Sequence, residues 1–350
     1  MKHPRFMALL LLAMLLPLAL AQQTVEVTFQ SKWFPQAQFA GYFVAQDLGF
    51  YAEEGLNVTI LDGGNVNPTV QVASGNADFG TDWIANMLVQ RDQGLEVVQI
   101  AQMYQDSGYR LVTLRDSGLE EFADLAGRKV GVWGFGNEFA TEVIFDVMDM
   151  TSNLDPTVTN PDVEAVVYAF DPALVFPDEV DAASAMTYNE LDQIVGLGYP
   201  LDSLNVLDPA DIDAAIMEDL IFTRPEVLSM ADFKGSGMSG REVAERFLRA
   251  SIRGWEHAVA NQEEAVQIVL KFCGDTCAGS GSTSSPLIHQ TWQMARVAEL
   301  VKPTPDTTVG AIDRAAFDRS VELLVQVGLI GQPVPYEDVV DSSVYEVIAE

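Results

Sequence analysis

Residues 25–61 read VEVTFQSKWFPQAQFAGYFVAQDLGFYAEEGLNVTIL. Val25, Val27 and Phe29 alternate with polar residues, the period of a half-buried strand. Gly41 to Glu54 reads as a helix closed by Gly55, and Asn57 to Leu61 as a second strand. The same rhythm continues downstream. Asn67 before Pro68 is a helix start, because asparagine caps free N–H groups and proline suits the first turn. Ala77 to Gly80 is a short strand, Ile84 to Gln93 a helix stopped by Gly94, and Glu96 to Ala101 a further strand. This βαβαβ order implies a mostly parallel sheet with helices on both faces.

The pattern then restarts. Leu119 to Leu125 is a short helix, Lys129 to Trp133 a strand, Glu138 to Met150 a helix, and Val163 to Phe170 and Ala182 to Thr187 are strands. After Arg224 the chain turns helical. Ser239-Gly-Arg-Glu242 is a capping box opening a helix to about Ala260, and helices follow at Glu263–Phe272, Ile288–Val301, Arg314–Val327 and Val339–Ile348. The expected architecture is two α/β lobes with a helical C-terminal tail. Apolar Tyr109–Leu114 and Ile221–Thr223 border the second unit. Residues 116–217 are therefore expected to form an inserted second lobe, and 22–115 plus 218–350 the first. In such sheets ligands bind at the carboxyl ends of the strands, here in a cleft between the lobes.

Before the first strand, Lys2 and Arg5 precede the apolar run Phe6–Leu20 and the small-residue site Ala19-Leu20-Ala21. Residues 1–21 are expected to be a cleavable signal peptide. Cysteine is absent near the cleavage point, so a lipoprotein anchor is not expected, and no later segment reads as a span. A periplasmic or other extracytoplasmic location is therefore expected. In that oxidising setting Cys273 and Cys277, beside a Gly/Ser run from Gly279 to Ser285, read as a local disulfide. The 350 residues carry a net charge of −32. So acidic a surface excludes nucleic acid as a partner and disfavours anionic lipid. It also keeps a protein hydrated, and a monomer is expected. Two cysteines and three histidines exclude most multi-ligand zinc sites.

Catalytic signatures are scarce. There is no His-Glu-x-x-His motif and no Gly-x-Ser-x-Gly elbow. Gly134-Phe-Gly136-Asn-Glu-Phe139 lies between a strand and a helix, but Phe139 replaces the third glycine of a dinucleotide loop. A ligand-contacting loop and a simple turn both remain open there. His257 and His289 fall on expected helices and read as surface or packing residues. The aromatic strand ends say more. Trp33, Phe39 and Tyr42 offer flat faces after the first strand, with the amides of Gln36 and Gln38 nearby. Asp82 and Trp83 follow another strand, Trp133 ends one, and Tyr188, Asn189 and Glu190 end another. Rings for stacking and polar groups for edges suit a planar heteroaromatic ligand.

Trp33-Phe-Pro-Gln-Ala-Gln-Phe-Ala-Gly-Tyr42, Gly49-Phe-Tyr-Ala-Glu-Glu-Gly-Leu56, Gly75-Asn-Ala-Asp-Phe-Gly80 and Asp124-Leu-Ala-Gly-Arg-Lys-Val-Gly131 resemble the NMT1/THI5-like (SsuA/THI5) substrate-binding proteins of ABC importers. The resemblance spans roughly residues 25–240. It implies the type II periplasmic-binding-protein fold, closing of the lobes on a ligand, and a membrane permease as partner. Asn137-Glu138 and Met186-Thr-Tyr-Asn-Glu190 look like the branch that binds thiamine pyrimidine precursors or riboflavin. By that resemblance Trp33, Tyr42 and Trp83 stack, and Asp82, Asn137, Glu138 and Glu190 bond the ring edges. Gln38, Tyr188 and Asn189 complete the expected lining. No catalytic residue, cofactor or metal is expected, and the chain is read as a binder rather than an enzyme. Three alternatives stay open. The family includes an iron-dependent thiamine pyrimidine synthase with a cysteine-rich motif. A sulfonate or nitrate binder would use Lys32 and Arg110. A sensory or adaptor protein would use the same lobes without transport.

Overall fold

The structure, a computed structural model, describes residues 24–349 other than Asn65, Phe135 and 279–283. The expected signal peptide, residues 1–21, lies outside the described residues, as do Phe135 of the glycine-flanked loop and most of the Gly/Ser run.

Strands β1 (Val25–Gln30), β2 (Leu56–Leu61), β3 (Phe79–Asp82) and β4 (Val98–Gln102) build the first sheet. The chain then leaves it for β5 (Tyr109–Leu114), β6 (Lys129–Val132), β7 (Glu164–Val167), β8 (Ala182–Met186) and β9 (Leu204–Leu207), and returns through β10 (Leu220–Thr223). The sheet orders are β2-β1-β3-β10-β4 and β7-β6-β8-β5-β9. Both sheets are mixed rather than mostly parallel. β10 runs antiparallel to β3 and β4, and β5 antiparallel to β8 and β9. The reason is the crossover: each antiparallel strand enters its sheet from the other one and takes the same fourth place. Tyr109–Leu114, expected as an apolar border stretch within the first lobe's 22–115, is a strand inside the second sheet.

The helices include α1 (Ala40–Asp47), α2 (Pro68–Ala73), α3 (Ile84–Asp92), α4 (Phe139–Val147), α5 (Glu190–Gly196), α6 (Gly240–Ala260), α7 (Gln262–Phe272), α8 (Pro286–Val301) and α9 (Arg314–Gln326). Caps act where the sequence places them. Asn67 Oδ1 accepts the Val70 N–H at 3.0 Å, and Ser239 Oγ the Glu242 N–H at 3.1 Å. Two expected helices are broken. Gly41–Glu54 divides at Gly49, whose φ of +78° is left-handed. Val339–Ile348 divides because Val340 is extended and bridges Gln99 beside β4. Among the described residues, no helix is long and apolar enough to cross a membrane.

The tail is built into the first sheet's core. Phe247 of α6 stacks on Phe79 at 4.5 Å, and Trp255 meets Tyr42 edge-on at 5.6 Å. The helices α1 and α6 cross so closely that a Cβ on Gly254 would lie 2.1 Å from the Gly41 carbonyl oxygen. Only glycine fits there.

Candidate functional site between the two sheets

The first wall comes from the carboxyl ends of β1, β3 and the start of β10. After β1, Ser31 Oγ donates to the Leu61 carbonyl at 2.9 Å and fixes the turn that presents Lys32 and Trp33. Lys32 Nζ reaches Asp82 Oδ1 at 2.9 Å and sits 4.7 Å above the Trp83 ring. Asp82 is wholly buried and also accepts hydrogen bonds from Thr69 Oγ1, the Trp83 N–H and Asn86 Nδ2. Behind Trp83 lies a second buried carboxyl. Asp219 accepts the Trp83 indole N–H at 3.2 Å and the Gln38 amide at 3.1 Å. Burial, and then the neighbouring Glu218, push its pKa up to about 7.

The second wall comes from the ends of β6 and β8. Trp133 follows β6, and Phe170 lies near-parallel to it at 6.0 Å. Asn137 Nδ2 donates to the Gly134 carbonyl at 3.0 Å, holding the loop before α4. After β8, Glu190 opens α5. Its carboxyl accepts the Met186 N–H at 2.9 Å and the Asn189 amide at 2.7 Å, yet burial pushes its pKa up to about 7. Burial thus favours the protonated form, in which the carboxyl can donate as well as accept a hydrogen bond.

Between the walls runs a slot lined by Lys32, Trp33, Gln36, Gln38, Trp83, Trp133, Asn137, Phe170, Met186, Tyr188, Asn189 and Glu190, with free volume of about 40 Å³. That holds a few waters but not an aromatic ring. Phe170 covers Trp33 at 4.6 Å, so a planar molecule enters only if the walls part or Phe170 swings away. Phe170 is held at a φ of +61°, a conformation that costs a bulky L-residue roughly 1–2 kcal/mol.

Of the residues expected from sequence, Trp33, Gln38, Trp83, Asn137, Tyr188, Asn189 and Glu190 line this slot. Three stand elsewhere. Tyr42 is core, 4.4 Å from the Phe29 ring and edge-on to Trp255. Asp82 stands behind the wall and holds Lys32. Glu138 turns back to accept the Gly136 N–H at 2.8 Å. Arg110 pairs with Asp208 at 2.6 Å and does not line the slot. Phe170 and Asp219 escaped the sequence analysis. A local cue existed for Asp219, since Glu218 and Asp219 directly precede an apolar strand. For Phe170 the cue was its place at the end of the expected strand Val163–Phe170, the same cue that marked Trp133. Cys273 and Cys277 form a disulfide, and Thr276 between them donates to the Pro35 carbonyl, next to Gln36 of the slot, at 3.0 Å.

A model of the family described as NMT1/THI5 like matches residues 36–265. The riboflavin-binding protein RibY of Chloroflexus aurantiacus is 27% identical, over 90% of this chain and 84% of its own. A formylaminopyrimidine-binding protein of Halalkalibacterium halodurans is 24% identical, over 92% and 91%. A 4-amino-5-hydroxymethyl-2-methylpyrimidine phosphate synthase of Legionella pneumophila is 23% identical, over 73% and 76%. Among solved structures, the alkanesulfonate-binding protein SsuA from Xanthomonas axonopodis pv. citri bound to MOPS matches with a TM-score of 0.60 at 12% identity, over 92% of this chain and 99% of that one. That likeness shows the periplasmic-binding-protein fold alone.

Proposed function

Because the chain belongs to the NMT1/THI5-like family, we propose that it is the exported receptor of an ABC importer and takes an uncharged planar heteroaromatic ligand, riboflavin or a thiamine pyrimidine precursor. Each sheet is then the centre of one lobe, with the crossings at 103–108 and 208–219. Ligand enters between parted lobes, the lobes close, and the closed form docks on a membrane permease.

One observation carries the choice of ligand class. The slot is walled by Trp33, Trp83, Trp133 and Phe170, and its one lining cation among the described residues, Lys32, is already bound to the buried Asp82. An anion binder needs cationic charge to spare or a cluster of hydroxyl and N–H donors. Here Coulomb attraction is spent inside the wall, while stacking faces and amide edges stay available. Trp33 and Phe170 would take the ring between them. Glu190, Asn189, Asn137 and Gln38 would meet its edge atoms, with the carboxyl able to supply a donor as well as an acceptor. The cysteines favour a receptor over a synthase: both are joined to each other, and no cysteine-rich motif remains.

Calorimetric titration of the processed protein with riboflavin, a hydroxymethylpyrimidine and an alkanesulfonate tests this. Saturable heat with riboflavin or the pyrimidine, and none with the sulfonate, is expected. Binding of the sulfonate alone would overturn the proposal.

A further inference from the structure

His289 read as a surface or packing residue in the sequence. In the structure it is fully buried on α8, and it faces groups from the other sheet. Its Nδ1 lies 2.6 Å from Asp192 Oδ2, a carboxylate on α5 that is itself 4% exposed. Its Nε2 lies 3.1 Å from Asn189 Oδ1 and 3.0 Å from Gln293 Nε2. Helix α8 belongs with the first sheet. The Ala37 N–H, in the loop that carries Gln36 and Gln38, donates to Gln290 Oε1 at 2.7 Å and Gln293 Oε1 at 3.2 Å. That contact fixes which end of the Gln293 amide faces inward. Its Nε2 is thereby turned to Asn189 Oδ1 at 2.9 Å and Gln36 Oε1 at 3.2 Å. A proton on Nδ1 donates to Asp192, and the two hydrogens of the Gln293 amide are shared among Asn189 Oδ1, Gln36 Oε1 and His289 Nε2.

We propose that His289 is a positioning residue that ties the closing of the two lobes to the orientation of the Asn189 amide in the slot. The inference rests on the reading of the fold as two lobes that open and close. Asp192 and Asn189 move with β8 and α5, and His289 and Gln293 move with the loop after β1. Parting the lobes pulls the imidazole from the carboxylate and returns both to water. Their hydrogen bond therefore contributes only to the closed form. Removing one partner leaves the other buried and unpaired in that form, which is the costly arrangement. The same residues aim Asn189, so a ligand that needs its amide is met by a group preset on closure.

The test needs no ligand, so its outcome is independent of whether riboflavin binds. Small-angle scattering of the processed chain would follow the ratio of closed to open lobes in the parent, D192A, H289A and the double variant. Each single change is expected to lower that ratio at least tenfold, with the double variant no worse than either, since neighbours that act together are not additive. The exchanged pair, D192H with H289D, is expected to recover closure, which a residue serving only to fill space would not do. Thermal melting of each variant separates opening from unfolding. Single variants that scatter as the parent does, or effects that simply add, would overturn the proposal.

Discussion

Ser107, on the crossing that leaves the first sheet, donates its hydroxyl to Glu218, on the crossing that returns, at 2.6 Å. Glu218 also accepts the N–H groups of Gly108 at 3.0 Å and Tyr109 at 3.2 Å. One buried carboxyl thus joins both connections between the sheets. E218A would strand those donors in the interior, at about 1–3 kcal/mol for each group left unpaired. Urea unfolding should show E218A destabilised by several kcal/mol and E218Q, which keeps an acceptor, by much less. Equal losses in the two variants would assign the effect to side-chain packing instead.

Acidification should stabilise this protein. Glu190, Glu218 and Asp219 all have pKa values pushed up to about 7 by burial, from ordinary values of 4.5 for glutamate and 3.8 for aspartate. Each group binds its proton more tightly folded than unfolded. Between the two values the folded chain holds more protons, so stability falls as pH rises from about 4 to about 7. Scanning calorimetry should find the melting temperature several degrees higher at pH 5.5 than at pH 8. The triple variant E190Q/E218Q/D219N should flatten that slope. A slope that the triple variant leaves unchanged would show that the three carboxyls ionise freely in the fold.

The sheets' parallel parts and the caps at Asn67 and Ser239 were legible because each is set by residues close in sequence. The antiparallel strands were not. β10 pairs with β3, putting Phe222 beside Gly80, and no local pattern announces a partner so distant. The site divides the same way. Trp33, Trp83 and Glu190 follow strands directly, so strand ends marked them. Tyr42 followed the same strand but sits on α1, and the phase of that helix turns it to Trp255. His289 and its partner Asp192 belong to helices that meet only in three dimensions.

Phe170 should grip ligand rather than merely fill the slot. Its ring faces Trp33 and Trp133, and an aromatic contact contributes about 0.5–1.5 kcal/mol beyond its buried area. F170A is expected to weaken riboflavin binding about tenfold or more while relieving the left-handed backbone only in part. Equilibrium titration checks this. Tighter binding in F170A would mean that the ring blocks the slot.

Freeing Lys32 should create an anion site. Asp82 holds that ammonium at 2.9 Å, and D82N removes the charge while keeping the shape. The variant is expected to bind an alkanesulfonate measurably where the parent does not, and to lose that gain when K32M is added. No sulfonate binding in a folded D82N protein would show that the pairing with Asp82 does not decide ligand charge.

The most direct test of the central claim is a riboflavin titration of the processed protein followed by tryptophan emission, corrected for absorption by the flavin. Trp33, Trp83 and Trp133 line the slot, so a flavin stacked there must quench them. Saturable quenching, diminished in W33A and not reversed by excess alkanesulfonate, is the predicted result. Saturable displacement of bound flavin by sulfonate, or a folded protein whose emission responds neither to riboflavin nor to a hydroxymethylpyrimidine, would contradict an uncharged heteroaromatic ligand.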